Sequence, residues 1–175
     1  MHTVELLPDP ATEARVRQVW RRLARTGLPS LAAHRHATNR PHLTLATTSG
    51  LPPAVRRELA VALSVLPLPL RLDGTIRFTG RTEALAWRVV PDAALASLHR
   101  RVWEALVALG AEDGNPLHEP GTWVPHLTLG RTRSGAADWP DELLPADLSE
   151  PYDGAFTAAR SYDSVTRTVE PLSLC

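Results

Sequence analysis

Pro41-His42-Leu43-Thr44-Leu45 occurs twice in this chain, returning letter for letter as Pro125-His126-Leu127-Thr128-Leu129. A repeated string of this kind marks duplicated structure. Each copy reads as a strand, with a proline at its start, where a missing N–H costs least, and alternating residues after it. Side chains on a strand point to opposite faces in turn. His42 and Thr44 therefore share one face and Leu43 and Leu45 the other, with the same parity for His126, Thr128, Leu127 and Leu129. The leucines go into a core. If the two strands lie side by side, two imidazoles and two hydroxyls converge on one small space.

That set of groups has a definite chemistry. Histidine titrates near neutrality, so a pair divides the labour of general base and general acid. Two threonine hydroxyls can donate to the non-bridging oxygens of a phosphate as charge builds on it. Neither a metal nor a covalent intermediate is required. The natural substrate is a phosphodiester in which a sugar oxygen leaves, and a strained cyclic phosphate is the easiest one.

The rest of the composition narrows the field. Of 175 residues, 43% are hydrophobic and 22% charged, with a formal net charge of zero. This is the balance of an ordinary globular protein and argues against an extended nucleic-acid clamp or an anionic membrane surface as main partner. All 19 basic residues are arginine, which excludes lysine chemistry such as Schiff bases or an adenylated lysine. Cys175 is the sole cysteine, so no intrachain disulfide or cysteine metal site forms. Residues 1–10 lack a signal-peptide pattern, and the apolar run around Leu63–Leu72 is broken by Pro67 and Pro69. A cytoplasmic monomer is expected.

Along the chain, a strand at Thr3–Leu7 precedes a helix started by Asp9-Pro10 and stopped near Gly27. Leu31–His36 reads as a strand leading to the first repeat strand, His42–Thr48. A second helix runs from Pro52, with Val55, Leu59, Ala62, Leu63 and Leu66 on one stripe. Strands at Leu68–Thr79 and Leu85–Val90 flank a turn at Gly80–Glu83. Asp92 caps a third helix, striped by Leu95, Leu98, Val102, Leu106 and Leu109 and stopped at Gly110. The second repeat strand is Trp123–Thr132, Ser134–Pro151 is loop, and strands at Gly154–Tyr162 and Thr166–Leu174 close the chain. No linker divides it. The expectation is an α+β fold with residues 1–175 as one bilobed domain. Each of its two pseudo-symmetric lobes is an antiparallel sheet with outer helices, and the histidines sit in the cleft between them.

Two His-x-Thr-x motifs, His42-Leu43-Thr44-Leu45 and His126-Leu127-Thr128-Leu129, are the signature of the two-histidine (2H) phosphoesterases. Within that superfamily the chain resembles the RNA 2′,3′-cyclic phosphodiesterases, also called 2′-5′ RNA ligases, and Pro125–Arg131 is especially close to their second motif. The resemblance covers essentially the whole chain. It implies hydrolysis of 2′,3′-cyclic phosphates on RNA ends or small nucleotides to 2′-phosphates, with 2′-5′ ligation as the reverse chemistry and no cofactor. By motif position His42 and His126 are the acid/base pair, Thr44 and Thr128 bind phosphate, and Arg131 adds a phosphate contact. Arg131 has the parity of the buried leucines, so it reaches the cleft only if the strand ends or bulges at Gly130. The first motif continues as Ala46-Thr47-Thr48-Ser49-Gly50, where many members carry an aromatic and then Leu-Gly. In the implied reaction His42 protonates the leaving 3′ oxygen and His126 activates water.

The competing reading is a nucleotide-binding module with little catalysis, against which intact His and Thr at all four positions argue. His34-x-His36 is a weak metal signal without carboxylates clustered near it. Arg40 is read as a solvated loop arginine, and His99 and His118 as structural or solvated. Trp87, Trp123, Phe78, Tyr152 and Tyr162 are core candidates, of which one or two could stack on a base.

Overall fold

The computed structural model describes residues 1–34, 36–136 and 138–172. β1 (His2–Pro8) leads to α1 (Pro10–Arg25), β2 (Leu43–Thr48), α2 (Pro53–Leu63), β3 (Leu68–Phe78) and β4 (Thr82–Val89). α3 (Ala93–Ala108), β5 (His126–Arg133), β6 (Tyr152–Asp163) and β7 (Thr168–Pro171) follow. The helices begin where their caps dictate. Asp9 accepts the Thr12 N–H at 2.8 Å and Asp92 accepts the Leu95 N–H at 2.8 Å, each taking one of the first-turn donors that the helix itself leaves unpaired. Val16, Val19, Trp20 and Leu23 form the buried stripe of α1, and Leu95, Leu98, Val102 and Leu106 that of α3.

The strands join in the order β2-β1-β6-β3-β4-β5, and β7 pairs the far end of β6. Every pairing is antiparallel. The fold is thus α+β, and its two halves, β2-β1-β6 and β3-β4-β5, are pieces of one sheet. They meet where Leu68–Leu72 of β3 pairs with Phe156–Tyr152 of β6. The two repeat strands occupy the sheet's opposite edges. The edges are nevertheless brought together: Trp123, just before β5, donates its indole N–H to the Thr44 carbonyl of β2 at 3.0 Å.

The leucines of both repeats enter the core as their parity requires. Leu43, Leu45, Leu127 and Leu129 are at most 1% exposed, packed with Leu6, Leu85 and Trp87. Burying each leucine contributes about 1.5–3 kcal/mol.

Several expectations need correction. The strand expected at Leu31–His36 is absent from its described residues: Leu31–Ala33 is a single 3-10 turn, and Arg35 lies outside the described residues. Its backbone is satisfied locally, because Ser30 Oγ accepts the Ala32 N–H and the Asn39 amide donates to the Leu31 and His34 carbonyls. No ladder is needed. Trp123–Pro125 precedes β5 instead of belonging to it, and Leu109 faces solvent at 42% exposure beyond the end of α3. Ser134–Pro151 contains two further 3-10 turns, Asp141–Leu143 and Ala146–Ser149. The expected strand end at Leu174, and Cys175, lie outside the described residues.

Candidate active site

The duplication extends beyond the five letters. In β2 the partners of Val4 and Glu5 are Ala46 and Thr44, so Leu45 is an extra, bulged residue. In β5 the partners of Leu85 and Ala86 are Gly130 and Thr128, so Leu129 is bulged in the same way. A bulge shifts the alternation by one residue. This turns Arg131 to the strand face that carries His126 and Thr128, as the parity argument required, though the bulge falls one residue before Gly130. Its counterpart in the first copy is Thr47.

Both imidazoles are held alike. His42 Nδ1 lies 2.7 Å from the Arg40 carbonyl, and His126 Nδ1 lies 2.7 Å from the Val124 carbonyl. A carbonyl only accepts, so Nδ1 carries a proton in each ring and Nε2 is the nitrogen left to exchange one. The backbone two residues upstream thereby fixes the tautomer in both copies.

The strands themselves are fixed by tryptophans. As edge strands, β2 and β5 each have one side without a ladder partner. Trp123 covers the Thr44 carbonyl, and Trp20 of α1 donates to the Thr128 carbonyl at 3.1 Å. Trp123 is in turn stacked on His99, ring centroids 3.9 Å apart, and His99 Nε2 donates to the His118 carbonyl at 3.0 Å. Burial pushes His99 down to about 4, so it is neutral and structural.

The surroundings of the two histidines differ. Thr44, Glu5 and Arg160 form a row across β2, β1 and β6. Glu5 is 2% exposed, receives Arg160 Nε at 2.7 Å and the Thr3 hydroxyl at 2.6 Å, and stands 3.6 Å from His42 Nε2. The equivalent row in the other half is Thr128, Ala86 and Ile76, which carries no charge. There His126 lies on the Phe78 ring, centroids 4.6 Å apart. Burial above all lowers its pKa, opposed by the Val124 carbonyl and reinforced by the positive charges of Arg131 and His42.

His42, Thr44, Thr128 and Arg131 line one cleft of about 480 Å³, with Glu5 and Arg160 in its floor. Arg167, Tyr162, His34 and His36 also line it, whereas His126 stands beside it against Phe78 and is not among its lining residues. Glu5, already paired with Arg160, is the one carboxylate among its described lining residues. The cleft is therefore suited to an anion with an apolar or aromatic portion.

The sequence model of the 2′-5′ RNA ligase superfamily matches residues 8–161. The chain belongs to this superfamily. Membership of the 2H phosphoesterases brings with it phosphodiester chemistry as the general class of activity. Solved structures share the superfamily fold. One described as a phosphoesterase is 19% identical, with a TM-score of 0.63 over 99% of this chain and 94% of that one. E. coli LigT complexed with 3′-AMP is 19% identical, TM-score 0.62, covering 99% and 94%. Kluyveromyces marxianus Usb1 is 12% identical, TM-score 0.57, covering 99% and 97%. No curated protein matches the chain in sequence.

Some site features escape a reading by motif. Glu5 interrupts the apolar run Val4–Leu7, and a carboxylate on the face opposite Val4 and Leu6 was the available signal. Arg160 had no such local mark, because its place is fixed by pairing 155 residues away in sequence. Phe78 and Tyr162 occupy equivalent positions of the two halves, opposite Ala84 and Thr3, and face the site instead of the core. Arg40 is not simply solvated: it pairs with Glu13 at 2.6 Å.

Proposed function

We propose that this cleft hydrolyses 2′,3′-cyclic phosphates, on RNA ends or small nucleotides, to 2′-phosphates without a metal ion. The observation that carries the reading is the matched pair of imidazoles, each with Nδ1 tied to a carbonyl and Nε2 available, set in unlike surroundings. His126, whose pKa is lowered chiefly by burial, is neutral at pH 7 and accepts a proton from water as its oxygen attacks phosphorus. The bond from phosphorus to the 3′ oxygen breaks, and His42 supplies the proton that this oxygen needs. The nearby Glu5 carboxylate forms an ion pair with His42 only while His42 carries that proton. Thr44 and Thr128 donate to the non-bridging oxygens, and Arg131 adds positive charge as negative charge accumulates there. Attack by the 5′-hydroxyl of a second strand on a 2′,3′-cyclic end, with His126 taking the hydroxyl proton and the 3′ oxygen leaving with a proton from His42, would join two ends by a 2′-5′ bond. The same groups serve for this 2′-5′ ligation, and water outcompetes the hydroxyl by abundance.

The test is turnover of a short RNA with a 2′,3′-cyclic end in excess EDTA, with 2′- and 3′-phosphate products resolved. Turnover to the 2′-phosphate that survives EDTA and collapses in both His42→Ala and His126→Ala supports the reading. Loss of activity to EDTA alone overturns metal independence. Tight nucleotide binding without turnover would make the protein a binding module.

A further inference from the structure

His34 and His36 lie outside the four-residue motif chemistry, yet both line the main cleft. They also line a second cavity of about 370 Å³ together with Arg17, Arg21 and Asn39. The two cavities share His34, His36 and Asn39, so they are contiguous. Among its described lining residues the second cavity has no carboxylate. Glu13 lies nearby, but it faces two guanidinium groups, Arg17 at 2.9 Å and Arg40 at 2.6 Å, which leaves the group net positive.

The described residues of the loop that carries them are held in place. Asn39 ties the Leu31 and His34 carbonyls, Arg17 donates to the Asn39 carbonyl at 3.0 Å, and Arg160 donates to the Thr38 carbonyl at 3.0 Å. The Thr38 backbone N–H donates to His36 Nδ1 at 3.3 Å. That nitrogen is therefore the acceptor, and the neutral ring carries its proton on Nε2. This is the opposite tautomer from His42 and His126. It makes His36 a hydrogen-bond donor to an anion without requiring a positive charge.

We propose that the loop between α1 and β2 forms a second anion site, beside the reaction cleft, that takes a second phosphate of the nucleotide substrate. His36 donates from Nε2, Arg21 supplies a flexible positive charge, and Arg17 and Asn39 hold the wall. The proposal rests on the reading of the main cleft as the site of the reacting phosphate. It favours substrates with a phosphate on the 5′ side of the terminal nucleoside over a bare cyclic mononucleotide.

Binding of products tests this independently of catalysis. Calorimetry would compare a nucleoside 2′-phosphate, the matching 2′,5′-bisphosphate, and a dinucleotide ending in the same 2′-phosphate. The second phosphate is expected to tighten binding about tenfold, the contribution of one charge-assisted hydrogen bond. That ratio should fall towards one in His36→Ala and in Arg21→Ala, both of which alter exposed side chains and leave the core intact. A gain with the bisphosphate alone identifies a terminal phosphate as the ligand. A gain with the dinucleotide as well identifies an internal phosphate of RNA. A ratio near one in the unaltered protein, or one that both variants preserve, overturns the proposal. Parallel turnover assays separate the two readings: a retained binding ratio without hydrolysis leaves the second site standing and removes the catalytic function.

Discussion

The two halves of the molecule present the same motif on different floors. Strand order, bulge position, imidazole tether and indole support all recur, yet one half places a buried Glu5–Arg160 pair beside its histidine and the other places Ala86, Ile76 and Phe78. Duplication supplies two equivalent donors of Nε2, whereas acid/base catalysis needs two groups in opposite protonation states. The difference between the floors is what can distinguish them. His42 stands 3.6 Å from a carboxylate, while burial against an apolar ring favours a neutral imidazole at His126.

The largest effect should come from removing either imidazole. His42→Ala and His126→Ala are each expected to lower kcat/KM on a cyclic phosphate by about 10²–10⁴-fold. The pH profile sharpens the distinction. His126 must be neutral to act as base, so kcat/KM rises with pH through a limb below the ordinary histidine value of 6.5. That limb should be absent in His126→Ala, and in Phe78→Ser, which lets water reach the ring, it should move to higher pH. A limb unchanged in both would remove His126 from the base role.

Next is the charged row. Glu5 and Arg160 side chains are 2% and 7% exposed, so Glu5→Gln leaves a buried guanidinium without its carboxylate. Such a loss costs about 3–5 kcal/mol, measurable by denaturant unfolding. The double variant Glu5→Leu/Arg160→Met gives the first half an apolar row like that of the second. It should recover most of the stability, since paired charges exchanged for packed apolar groups are often neutral. Activity should stay low. Recovery of both would show that the asymmetry is structural only.

A smaller effect separates Gly130 from its counterpart Ala46. A Cβ at Gly130 would lie 2.2 Å from the Pro29 carbonyl oxygen and 3.2 Å from Trp139, whose indole itself donates to Pro29. The Pro29 backbone cannot yield easily and the Trp139 ring is tied to it by its indole, so Gly130→Ala should cost about 1–3 kcal/mol in unfolding experiments, as overpacking does. It should also lower activity by displacing Arg131. At Ala46 a Cβ is already accommodated, fully buried in the core.

How much of this was legible in the sequence follows from the range of each interaction. The strands, the two capped helices and the convergence of His42, Thr44 and Thr128 rest on local alternation, on caps three residues long and on an exact repeat. Arg131 was legible only conditionally, because parity is local but a bulge is set by the partner strand. The edge-to-edge joining of both halves through β3 and β6, and the Glu5–Arg160 pair, depend on residues far apart in sequence. Leu31–His36 misled for another reason: its apolar and histidine residues alternate acceptably for a strand, but Ser30 and Asn39 capture the backbone first.

The smallest predicted effect concerns the supports beneath the motif carbonyls. Thr128 is held by Trp20, whereas Thr44 is held by Trp123 stacked on a titratable group, His99. The folded pKa of His99 is depressed by burial to about 4, against 6.5 for the free side chain. Between those values the unfolded chain binds a proton that the folded one does not, so stability falls as pH falls. This contribution is complete above about 6.5, declines through that window and is exhausted near 4. Near pH 6 it amounts to about 1 kcal/mol or less. His118 and His126, also lowered mainly by burial, add to the same slope. His99→Gln keeps a donor for the His118 carbonyl but cannot titrate, so unfolding free energies measured from pH 7 to pH 5 should decline less steeply than in the parent. Parallel slopes would mean that the first motif's support is no more sensitive to acid than the second's.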